Sequence, residues 1–99
     1  MSQPMNKAKD TVGKIINKNS DTSLLEQLKT IDKLITQNEA KIWLRTRSGK
    51  PMAEKMETTA SMVLQKQEEG ADLAEPINML MSVAKEIDEE SQRRSMVVT

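Results

Sequence analysis

From Leu24 to Ile42 the chain sets Leu24, Leu28, Ile31, Ile35, Asn38 and Ile42 at spacings that alternate between four and three residues. On an α-helix these positions form one stripe, whereas a strand, with its period of two, would scatter them over both faces. A stripe of this kind has to be covered by another helix, which commits the chain to helix-on-helix packing. Ser23-Leu24-Leu25-Glu26 fits a capping box at its start. Gly49 suits the left-handed residue past a helix end, and Pro51 stops the helix. The expectation is one helix over 23–48, with Leu25, Leu34 and Leu44 widening its apolar face.

The rest of the chain has the same period. Met5, Ala8, Val12, Ile15 and Ile16 share a face of a short amphipathic helix over 4–18, followed by the polar run 17–21. Pro51 opens a helix over 51–69, with Met52, Met56, Ala60, Val63 and Leu64 on one side and Gly70 as its cap. Asp72-Leu73-Ala74-Glu75 and Pro76 begin a helix over 73–92 carrying Ile77, Leu80, Met81, Ala84 and Ile87. Residues 93–99 show no period and read as a flexible tail. No segment alternates as a strand does. The predicted fold is all-α, within a single domain over 1–99. It is a small antiparallel bundle of three longer helices plus a short N-terminal one, with oligomerisation as a way to complete it.

Composition weakens such a core. Trp43 is the only aromatic among 99 residues, apolar residues make up 36%, and there are eight methionines. An aliphatic, Met-rich core specifies its packing loosely and gains from a partner or a second copy. Cys and His are absent, which removes disulfides, thiol nucleophiles, His acid–base chemistry and Cys/His zinc sites. No cofactor, metal or small-molecule substrate is expected, and the chain reads as a non-enzyme of the cytoplasm. Carboxylates at Glu86, Asp88, Glu89 and Glu90 read as a solvated helix face.

Charge divides the chain. Residues 1–55 hold 11 Lys/Arg against 6 Asp/Glu, and residues 56–99 hold 4 against 9. The two halves can attract each other within one chain or between chains. Lys7, Lys9, Lys14 and Lys18 oppose the apolar face of the first helix, but that face lacks the Trp, Phe and Leu of a membrane-surface helix, so membrane binding is not expected.

Two stretches carry the candidate sites. The seam residues Leu28, Ile31, Ile35 and Ile42 offer apolar area to a partner helix. Asn38 on that seam either pairs with its twin in a dimer or lies solvated at the stripe's edge. The basic segment 41–55 follows, with Trp43, Arg45 and Arg47 as a polar-rimmed anchor for a protein partner. The alternative is a nucleic-acid-binding regulator, in which Trp43 stacks a base while Lys41, Arg45, Arg47, Lys50 and Lys55 meet phosphates. The leading expectation is a non-enzymatic interaction module, acting as adaptor, inhibitor or assembly factor. A structural subunit of a phage, viral or secretion assembly fits the same composition.

Overall fold

The computed structural model describes the backbone of residues 4–18 and 21–98, and the side chains of residues 8–18 and 21–94. Met5 and Lys7 therefore lie outside the described side chains. The described chain is all-helical, without a strand. Its helices are α1 (Pro4–Lys18), α2 (Thr22–Ile35), α3 (Asn38–Leu44), α4 (Lys50–Glu68) and α5 (Ala74–Val98).

Each main helix buries the stripe its period marks out. Ala8, Val12 and Ile15 on α1, Leu28, Ile31 and Ile35 on α2, Met56, Ala60 and Val63 on α4, and Ile77, Leu80, Ala84 and Ile87 on α5 form one aliphatic core. Helix α1 packs most extensively on α4 and also touches α2; α5 packs on α2, α4 and α3. Lys18 Nζ lies 3.8 Å from Glu68 Oε1. Gln67 Nε2 donates to the Ile15 carbonyl at 3.4 Å. The C-terminal ends of α1 and α4 thus lie together, and these helices run broadly in the same direction.

The expected helix over 23–48 is two helices. Thr36 has φ −106° and ψ 3°, and Gln37 is extended at φ −65° and ψ 150°. The Thr36 hydroxyl donates to the Asp32 carbonyl at 2.8 Å and reaches that of Lys33 at 3.2 Å, an i−4 back-bond of the kind that bends helices. Packing supplies the reason for the break. A straight helix would turn Asn38 and Ile42 inward; the bend buries Ala40, Trp43 and Leu44 instead. Burying an indole and a leucine yields more than burying one isoleucine beside an amide that needs a partner.

The caps differ from expectation in the same local way. Asp21, not Ser23, caps α2: its Oδ1 accepts from Ser23 N at 3.0 Å and Leu24 N at 3.4 Å. An aspartate two residues upstream holds the free N–H groups that the capping box would have served. Gly49 has φ −91° and stands as the N-cap of α4 rather than as a left-handed terminator. Gly70 does take the left-handed conformation, at φ 77°. Gly70 N bonds Gln67 O at 3.1 Å and Ala71 N bonds Lys66 O at 3.0 Å, the paired bonds of a Schellman end. The residues expected as a tail, from Arg93 onward, continue α5 to Val98. Glu90 holds Arg93 at 3.2 Å and Arg94 at 3.9 Å, spacings of three and four that only a helix brings together.

Candidate functional site: helix α3 and the turn after it

Helix α3 is seven residues long and amphipathic in a sense opposite to the sequence stripe. Ala40, Trp43 and Leu44 point inward, while Asn38, Lys41, Ile42 and Arg45 are exposed. These exposed positions stand three and four residues apart, so they form one outward face. Ile42 sits in its middle with 68% of its surface accessible.

Trp43 fixes the helix from the inside. It retains 7% exposure, and its Nε1 donates to Ser48 Oγ at 3.1 Å. The Trp43 carbonyl accepts from the Thr46 backbone N–H at 2.9 Å and also from the Thr46 hydroxyl. Thr46 Oγ1 and Ser48 Oγ lie 3.2 Å apart, and Gly49 N donates to Thr46 Oγ1 at 3.3 Å. The turn thereby wraps onto the indole and its own helix end. From the other side, Arg94 Cζ stands 5.3 Å from the Trp43 ring centroid, a cation–π contact oriented by Glu90.

This geometry reassigns the candidate residues. Leu28, Ile31 and Ile35 are consumed by the chain's own core and present no seam to a partner. Asn38 and Ile42 are not on that seam at all; both face outward on α3. Trp43 is an internal anchor, not an exposed platform. Lys41, Arg45, Arg47 and Lys50 are exposed, and no ion pair among the described residues engages them. Lys55 stands apart from them on α4, 3.8 Å from Glu86 of α5. The structure therefore gathers Lys41, Ile42 and Arg45 on one face, with Arg47 in the adjoining turn and Lys50 at the first position of α4, and separates them from the α2 residues.

The roles of Thr46 and Ser48 around the indole, of Arg94 over it and the exposure of Met79 carry no signal in the spacing of apolar residues. Arg94 was hidden by being assigned to a tail, although its spacing of four from Glu90 is a helical signal. Met79 is one of the eight methionines, and composition cannot tell a core methionine from a surface one; it is 53% exposed. Among the described residues no group of His, Cys, Asp and Glu could hold a metal ion, and no helix is long and apolar enough to cross a membrane.

Neither protein-family models, nor curated proteins, nor solved structures match this chain. Its function has to be argued from the site alone.

Proposed function

We propose that this chain is a non-enzymatic helical interaction module of the cytoplasm whose docking face is the outward side of α3. The observation that carries the reading is Ile42. A large aliphatic side chain, 68% exposed, sits beside Lys41 and Arg45 on a short helix anchored from the inside by Trp43, with Arg47 and Lys50 following in the next turn and the start of α4. Preorganised apolar contacts ringed by charge are what a protein interface uses for affinity at the centre and specificity at the rim. The cations select an acidic protein surface and exclude a basic one.

The frame in this reading is a four-helix bundle of α1, α2, α5 and α4, in that order around a ring, with α3 crossing between opposite corners at one end. The neighbour pairs and the paired C-terminal ends of α1 and α4 support it. The nucleic-acid alternative loses its stacking platform, since Trp43 is buried with Arg94 over its face.

The test is a photocrosslinking amino acid at position 42, activated in cells that make the protein. A polypeptide adduct that disappears when Arg45 and Arg47 are both changed to Glu is expected. A nuclease-sensitive adduct, or none, would overturn the reading.

A further inference from the structure

We infer that the acidic surface met by α3 is carried by a second copy of this chain, on the first turns of α5. The inference rests on the reading of α3 as a docking face and names its partner.

The argument begins with the ends of the molecule. Lys55 pairs with Glu86, and Arg94 lies over Trp43, so the start of α4, helix α3 and the later part of α5 share one end. The connection at 69–73 joins α4 to α5 at the other end. Nineteen residues of α4 separate the two, about 28 Å of helix. Residues 38–50 carry Lys41, Arg45, Arg47 and Lys50 against Glu39 alone. Residues 68–75 carry Glu68, Glu69, Asp72 and Glu75 and no cation. Within one chain these groups stand too far apart to meet. Among the described residues, only Glu68 of these has a partner ion, Lys18.

The second observation is independent of charge. Among the described residues, the two large apolar side chains left exposed are Ile42 and Met79. Ile42 belongs to the basic end. Met79 lies one turn beyond Glu75 on α5, so the two share a face; Asp72 stands just ahead of that helix, its Oδ1 accepting from Ala74 N at 3.1 Å. Each surface is therefore an apolar centre flanked by one sign of charge, and the signs are opposite. Docking the outward face of α3 onto the α5 stripe of another molecule sets Ile42 against Met79. It also brings Lys41 and Arg45 to Glu75 and Asp72.

The contact uses different patches on the two molecules. Such an association is heterologous: each copy keeps one free α3 and one free α5 stripe, so it continues into chains rather than closing as a symmetric dimer. Helix α3 is about 10 Å long, which keeps the buried area at or below the low end of specific interfaces. The association is accordingly weak, and it weakens further with salt because its charges are exposed.

Sedimentation velocity of the full chain tests it, from about 10 µM to about 1 mM, in about 50 mM and about 500 mM NaCl. The mass average should rise with concentration past a dimer in low salt and fall back in high salt. Ile42→Asp and Met79→Asp should each weaken association about tenfold or more. Their equimolar mixture should regain a dimer that grows no further, because one intact α3 meets one intact stripe and the remaining surfaces are both disabled. Far-UV circular dichroism checks that the variants keep their helicity, and Arg45→Glu probes the same face if Ile42→Asp does not. A wild type that is monomeric throughout, association indifferent to both substitutions, or a mixture with no heterodimer overturns the inference. If a different polypeptide is crosslinked from position 42 while the wild type stays monomeric, the docking face stands and only its self-recognition falls.

Discussion

Gly49 and Gly13 show how little a residue type says without its surroundings. A Cβ on Gly49 would sit 2.8 Å from the carbonyl carbon of Trp43, closer still to its oxygen, and 2.9 Å from Leu44 Cα. Those atoms are backbone and do not rotate away. Gly49→Ala should therefore destabilise the protein by about 2–3 kcal/mol in urea unfolding, the cost of overpacking a closed site. A Cβ on Gly13 meets nothing within 4 Å, and its φ is helical in sign. Gly13→Ala should instead raise stability by about 0.5–1 kcal/mol, because alanine loses less backbone entropy in a helix. Gly49 was legible as a helix boundary, but not as a close approach, since its neighbour in that contact is fixed by the fold of the turn. Trp43 behaves similarly: its size marks it as an anchor, while only packing decides whether it anchors a partner or the chain itself.

At the scale of elements, period was the dependable signal and end chemistry the weaker one. The apolar faces of α1, α2, α4 and α5 follow the sequence stripes because any amphipathic helix buries the side that water disfavours. Caps depend on which of several nearby oxygens reaches the free N–H groups first. Asp21 and Ser23 both qualify by type, and the structure selects Asp21. Asp21→Ala should cost about 1 kcal/mol, and Ser23→Ala a few tenths, a contrast that thermal or urea melts resolve. The break between α2 and α3 had a partial signal. The polar run Thr36-Gln37-Asn38 interrupts the stripe, and Ala40, Trp43 and Leu44 start a new one at spacings of three and four. A single heptad through Asn38 would set an amide either against its twin or at the stripe's edge, and that polar interruption marks where the stripe gives way.

For the whole molecule, stability rests on a small aliphatic core rather than on its charges. The four described ion pairs join side chains that are 30–69% exposed, and pairs of that kind contribute little. Raising NaCl to about 0.5 M should change the free energy of unfolding by less than about 1 kcal/mol. Self-association is expected to respond much more strongly. Met56 is fully buried at the centre of α4. Met56→Ala should cost about 2–5 kcal/mol, a large share of the margin a domain this size holds, and should appear as a lowered urea midpoint. The contrast between the two measurements separates what holds the chain folded from what its surface does.

By itself the sequence determined that the chain is helical, which faces of its main helices turn inward, and where Gly70 ends a helix. Those properties follow from spacing and backbone preference, which act over a turn or two and are written locally. The direction of α1 against α4, the bend after Ile35, the burial of Trp43 under Arg94 and the exposure of Ile42 and Met79 were decided by tertiary structure. Each is a competition between distant segments for the same limited core, and the side chain that yields the most buried apolar area takes the inside. The candidate docking face exists because Ile42 lost that competition to Trp43 and Leu44.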